Sequence, residues 1–394
     1  MIQLLLVIIY ISFISLGLPD SLLGSAWPSM YSGLGVPVSY AGIISMIIAG
    51  CTIISSLFSD RIVRRLGTGR VTAVSVGMTA AALMGFSFSN SFALLCLWAV
   101  PYGLGAGSVD ASLNNFVALH YKARHMNWLH SFWGVGASIG PYIMGACLTG
   151  TFGRSGASGW NGGYRVISVI QIVLTAILVF SLPLWKRMTE SSGGNEEQKA
   201  EQLSVRQLLS LPQAKPILIA FFCYCSLESS TGLWGAVYMV MQKGITREAA
   251  AKLIALFYLG ITIGRFLSGF ISVKFSNRNM IRLGQIIALC GIVTLFISPN
   301  TLSTAAGFLL IGLGCAPIYP ALLHQTPDRF GKNVSQSIMG MQMACAYVGS
   351  TFTPPVIGYI VEHVSVVLYP VLLLVFAVLM AVMVEYCNRK QRHI

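Results

Sequence analysis

Three carboxylates stand where carboxylates are expensive. Asp20, Asp110 and Glu228 each interrupt a long apolar run, and Asp20 is the only charged side chain ahead of Asp60. A charge at the centre of a membrane helix costs about 2.5–3.5 kcal/mol on insertion scales, and apolar surroundings favour the neutral acid. A carboxyl that takes up a proton in one setting and releases it in another does what coupling to a proton gradient requires. His130, in "NWLHSFW" (127–133), titrates near neutral pH and could relay that proton. The proton-coupling candidates are therefore Asp20, Asp110, Glu228 and His130. The competing chemistry is structural: a buried base such as Arg265 could neutralise an acid and make it a helix fastener, and His130 could donate one hydrogen bond and never titrate.

Aromatic and amide side chains accompany these acids: Trp27, Trp133, Trp234, Tyr238 and Tyr347, with Asn114, Asn115 and Gln342. Sugar rings present C–H faces that pack on indole, while their hydroxyls need amide or carboxylate partners. For any one aromatic, helix packing or lipid contact is the simpler role. As a set beside acids and amides, they favour a polar solute over a greasy one. "GLGAG" (103–107) is not a phosphate loop, because no strand precedes it and no Lys-Ser/Thr follows; its glycines allow close helix contact. The nine cysteines are scattered without a C-x-x-C, so neither a disulfide framework nor a zinc site is expected. No Ser-His-Asp grouping or metal cluster occurs, and the chain is expected to be no enzyme and to need no cofactor.

The surrounding elements are membrane helices. Of 394 residues, 55% are hydrophobic and 9% charged, against roughly 25% charged in soluble domains. Runs of about 20 apolar residues each cross the hydrocarbon layer, and the continuous runs exclude the alternation of a β-barrel. The first segment lacks a basic n-region and its apolar run is too long for a signal peptide, so it is expected to be retained. Spans are expected near 2–30, 39–58, 71–89, 93–118, 128–152, 163–186, 214–241, 248–273, 281–299, 302–325, 335–360 and 365–386. Nineteen of the 25 Lys and Arg residues fall on one side of this arrangement and five on the other, with Arg265 inside a span. The positive-inside rule then puts both termini in the cytoplasm, and the net charge of +13 is topological instead of a nucleic-acid signature.

The longest hydrophilic stretch, "KRMTESSGGNEEQKAEQLSVRQ" (186–207), divides the chain into a bundle over 1–187, a cytoplasmic linker over 188–212 and a second bundle with a short tail over 213–394. The halves echo each other at a shift near 209 residues. "SDRIVRRLGTGRV" (59–71) lies opposite "SGFISVKFSNRNM" (268–280), "GLGAGSVDASL" (103–113) opposite "GLGCAPIYPAL" (312–322), and "DSLLGSAW" (20–27) opposite "ESSTGLWG" (228–235). Three matches at nearly one offset indicate duplication. Duplicated six-helix halves are a transporter architecture with the substrate near the midplane.

These residues also carry a resemblance. "SLFSDRIVRRLG" (56–67) resembles the loop motif G-x3-D-R-x-G-R-R of the major facilitator superfamily, with Asp60, Arg61, Arg64 and Arg65 matching and Ser56 and Val63 in place of glycines. "GVGASIGPYIMG" (134–145) resembles its Gly-Pro-rich fifth span. "GLPDSLLGSAWP", "GAGSVDASLNNFVA" (105–118) and "NWLHSFWGVGA" (127–137) resemble the fucose/galactose/gluconate–proton symporter group. The resemblance implies an all-α membrane protein, with twelve transmembrane helices in two pseudo-symmetric six-helix bundles. It implies that Asp20 and Asp110 bind substrate and couple protons, with Asn114 completing an acid-x3-Asn pattern. The helices bearing Trp27, Asn115, His130, Trp133, Glu228, Trp234, Tyr238 and Gln342 would line the cavity. Trp133 stands where fucose permeases carry a polar sugar contact, which points away from fucose itself. The loop residues Asp60, Arg61, Arg64 and Arg65 would form a conformational latch, Asp60 facing a helix N-terminus near Asn333–Ser335. The expected function is alternating-access, proton-coupled uptake of a sugar-like polar solute by a multi-pass monomer in the plasma (inner) membrane, its partners being solute, protons and lipid, with no nucleic acid. The alternatives are a proton-coupled drug or metabolite efflux antiporter, and a membrane sensor that kept the fold.

Overall fold

Inside hydrocarbon no water is available for backbone N–H and C=O groups, so each segment must satisfy its own. In the computed structural model of the chain, residues 2–20, 22–37, 40–148, 159–191, 203–245, 247–298 and 300–390 are described, and all their regular structure is helical. The first half contains α1 (Ile2–Asp20), α2 (Leu22–Met30), α3 (Ala41–Leu66), α4 (Thr68–Phe88), α5 (Phe92–His120), α6 (Ala123–Leu148) and α7 (Gly159–Ser191). The second contains α8 (Val205–Ser210), α9 (Ala214–Lys243), α10 (Arg247–Ile271), α11 (Asn277–Ile297), α12 (Thr301–His324), α13 (Thr326–Phe330), α14 (Lys332–His363) and α15 (Leu368–Lys390).

Among the described residues, eleven helices are long and apolar enough to cross a membrane, counting Leu4–Trp27 across α1 and α2 as one. The twelfth expected span is α6, whose 26 residues reach far enough at about 1.5 Å per residue. Its polar side chains, among them Arg124, His125, Asn127 and His130, pull it below the apolarity of the rest. Large apolar groups such as Phe180, 85% exposed, and Leu302, 80% exposed, face outward as lipid-facing residues do. Part of the expected linker is helical at both margins: α7 runs to Ser191, and Ser204 caps α8 through a reciprocal bond with Gln207. Residues 192–202 between them lie outside the described residues.

Contacts divide the chain into two compact units. One holds Met1–Phe116 with Leu129–Gln202; the other holds Val117–Trp128 with Leu203–Ile394. The internal repeat is visible as matching contacts within each unit. A side chain at Gly103 would collide with the Ile48 carbonyl of α3, and one at Gly312 with the Phe257 carbonyl of α10. Gly105 likewise meets the Ser75 carbonyl of α4, and Gly314 the Gly284 carbonyl of α11. All four positions shift by the same 209 residues. Thus α5 and α12 are equivalent wedges, each packed backbone-to-backbone on two neighbours through small residues.

Candidate substrate and proton site

Pro19 shapes the first acidic site. It has no N–H and cannot bond the carbonyl four residues back, at Ser15, which a straight helix would use. Gln171 of α7 replaces that bond: its Nε2 donates to the Ser15 carbonyl at 2.5 Å, while Ser15 Oγ donates to Gln171 Oε1 at 2.7 Å. α1 is described to Asp20 and α2 from Leu22, and together they make up the span Leu4–Trp27. Close by, α1 and α6 cross without side chains between them, since Gly17 abuts the Trp133 carbonyl and Gly136 abuts the Ile14 carbonyl.

That crossing brings the Trp133 indole to Asp20. Trp133 Nε1 donates to Oδ2 at 2.9 Å, and Tyr102 of α5 donates its hydroxyl to Oδ1 at 3.0 Å. Both donors are neutral, and among the described residues no Lys, Arg or His pairs with Asp20. The Asp20 residue is nonetheless exposed. An accessible carboxylate oriented by two neutral donors can still meet a proton or a ligand donor.

The second acidic site lies on the same two helices. Asn114 of α5 donates Nδ2 to Asp110 Oδ1 at 2.8 Å and to the Asp110 carbonyl at 2.9 Å. Its Oδ1 meets His130 Nε2 of α6 at 3.0 Å. With Nδ2 committed to the carboxylate, Oδ1 must accept, so His130 carries its proton on Nε2. Phe13 edges the imidazole at 5.5 Å between centroids. His130 and Trp133 are one turn apart, so α6 connects the Asn114–Asp110 pair to Asp20.

In the second unit, Glu228 has a different environment. Arg265 Nη2 donates to Glu228 Oε1 at 3.0 Å, with the guanidinium side chain 7% exposed and the carboxylate 25%. The same nitrogen reaches Tyr224 Oη at 3.5 Å, and that hydroxyl donates to the Cys315 carbonyl at 3.1 Å. The base anticipated as a possible neutraliser serves Glu228, in the second unit.

Several other expected binding residues are in packing roles. Trp27 is 4% exposed in a core with Leu22, Met30 and Tyr164. Tyr238 packs against Tyr369 with the two rings tilted by 34°, and donates to the Leu295 carbonyl at 3.1 Å. Trp234 donates to the Pro354 carbonyl at 2.7 Å, its ring filling the space over Gly358. Gln342 is fully buried, accepting from Thr326 Oγ1 at 3.0 Å. Asn115 is 4% exposed on α5 beside the Asp110 group. In the loop motif, Asp60 is held by Arg64 of its own helix through Nε at 3.0 Å and Nη2 at 2.8 Å. Tyr102 and Gln171 were not singled out from sequence; a proline with an acid beside it was the only signal that some group must satisfy Ser15. Among the described residues no group of His, Cys, Asp or Glu could hold a metal.

Duplicated bundles of membrane helices, with ionisable side chains placed inside the spans, define a multi-pass membrane transporter class. The sequence model of the Major Facilitator Superfamily matches residues 9–354 and 253–387, and the chain belongs to that superfamily. It is a transporter, not an enzyme. Among curated relatives, Bypass of stop codon protein 6 of Saccharomyces cerevisiae is 21% identical, over 92% of this chain and 78% of its own. The glucose/mannose transporter GlcP of Bacillus subtilis is 22% identical, over 79% of this chain and 77% of its own. The crystal structure of the E. coli fucose:proton symporter FucP superposes with a TM-score of 0.75 at 16% identity, covering 98% of each chain.

Proposed function

We propose that the protein is a proton-coupled importer of a sugar or related polar solute, working by alternating access. The observation that carries this reading is the contrast between two symmetric acids. Asp20 is exposed and, among the described residues, held by two neutral donors, whereas Glu228 is matched by Arg265. A carboxylate without a cation gains most from a proton, so Asp20 is the coupling group, and the Asp110–Asn114–His130 chain is its companion on α5 and α6. Protonation of Asp20 favours the conformation that binds solute, and deprotonation on the other face favours release; the two ligands are linked through one equilibrium. Trp133 and Tyr102 offer an aromatic face and a hydroxyl beside the acid, a suitable wall for a sugar ring. GlcP and FucP, named as sugar carriers, add support for that solute class. In this reading the termini are cytoplasmic and the membrane is the inner one.

The test is transport in proteoliposomes with an imposed pH gradient. The wild type accumulates its sugar, and D20N loses gradient-driven accumulation while keeping exchange of internal for external solute. Unchanged accumulation by D20N would remove Asp20 from coupling.

A further inference from the structure

The four motif residues at the end of α3 do not act as one group. Asp60, 8% exposed, has both oxygens taken by Arg64. Arg61 and Arg65 lie one turn apart on a different face, and both are exposed. Among the described residues neither makes a hydrogen bond or an ion pair; Arg61 rests 5.3 Å over the Phe58 ring. With Ile62 and Leu66 they border a surface cavity of about 560 Å³. Leu66 at its edge is 42% exposed, and Phe58, under the Arg61 guanidinium, is 47% exposed. Arg70, at the start of α4, adds a third exposed guanidinium without a partner nearby in sequence.

We propose that this cavity seats the phosphodiester of an anionic membrane lipid, clamped by Arg61 and Arg65. A guanidinium fork matches phosphate oxygens, and two forks one turn apart leave room for one group between them. The only acid of the motif is already satisfied, so the surplus charge looks outward for its counter-ion. The apolar neighbours decide the source of that phosphate. Phe58 and Leu66 belong to a spanning helix and continue the lipid-facing surface, which suits acyl chains and offers a soluble phosphate nothing. Basic clusters at the end of a membrane helix attract acidic headgroups by the same electrostatics.

The experiment uses the full-length protein in phosphatidylcholine micelles titrated with dioleoylphosphatidylglycerol, read as thermal unfolding. Phosphatidylglycerol is expected to raise the wild-type Tm, and R61Q/R65Q to lose at least half of that rise. K215Q/K274Q, which removes two exposed charges from the other unit, is expected to keep it. Inorganic phosphate and sn-glycero-3-phosphoglycerol at matched concentration are expected to give none. Four results overturn the proposal: no rise in the wild type, an unchanged rise in R61Q/R65Q, an equal loss in K215Q/K274Q, or a rise produced by phosphate alone. Should the double variant not fold, R65Q with native mass spectrometry decides, because among the described residues its guanidinium makes no hydrogen bond or ion pair that the fold would lose. Several-fold weaker retention of phosphatidylglycerol supports the site, and wild-type retention rejects it.

Discussion

Asp20 and Glu228 occupy equivalent places in the two halves and are handled by different physics. Arg265, deep in the second unit, makes Glu228 half of an ion pair; the position equivalent to Arg265 in the first half is Ser56, which donates to the Gly107 carbonyl at 3.2 Å instead. Removing one member of a buried pair leaves the other charge uncompensated, at a cost of about 3–5 kcal/mol. Because a quarter of Glu228 is exposed, E228Q should fall at the low end, about 3 kcal/mol, seen as a Tm drop of several degrees in detergent. E228M/R265M should recover most of it, since replacing both charges by apolar groups is close to neutral. A stable E228Q would mean that the pair holds nothing together. Both acids were legible in the sequence because so few charges interrupt these spans. What each acid meets was not, since a tyrosine 82 residues away looks like any packing aromatic until the helices are placed. For the same reason Trp27 and Tyr238, read as binding aromatics, could not be told from core side chains by type alone.

At the scale of elements, Pro19 and Gln171 form a coupled device. The proline leaves the Ser15 carbonyl without its helical donor, and Gln171, 1% exposed, supplies one from α7. An unsatisfied buried acceptor costs about 1–3 kcal/mol, so Q171L should lower stability by that amount. In a P19A background the helix can bond Ser15 itself, and Q171L should then cost measurably less. A double-mutant cycle in thermal unfolding reads the difference; strict additivity would separate the two residues. The setting of Asp20 also depends on Gly17 and Gly136, which let α1 and α6 meet backbone to backbone and so deliver the Trp133 indole. Glycine-rich stretches signalled close packing from sequence. Which carbonyl each glycine meets requires the fold, and the shift of 209 residues in those contacts turns three short sequence echoes into a repeated architecture.

Across the whole molecule, the repeat preserves packing and drops chemistry. Asp110 shifts by 209 onto Tyr319; taking the α1–α6 and α9–α14 crossings at Gly136 and Gly349 as equivalent, His130 falls on Met343. In the second unit those two residues meet as a hydroxyl–thioether contact of 3.2 Å, which cannot exchange a proton at physiological pH. In the proposed mechanism the coupling groups Asp20, Asp110 and His130 therefore lie in the first half, while Glu228 in the second is paired with Arg265. Such an assignment needs the proton to reach the first half from a defined side, which makes the orientation of the chain a testable part of the mechanism. Basic residues hold cytoplasmic loops in place, and nineteen against five is a strong bias. An alkaline phosphatase fusion in the loop around Arg154, which lies outside the described residues, should therefore be active. A fusion between α7 and α8 should be inactive, and a fluorescent protein at the same point should glow. The reverse pattern would put the 186–207 segment outside, and Asp20 would then couple to a gradient of the opposite sense.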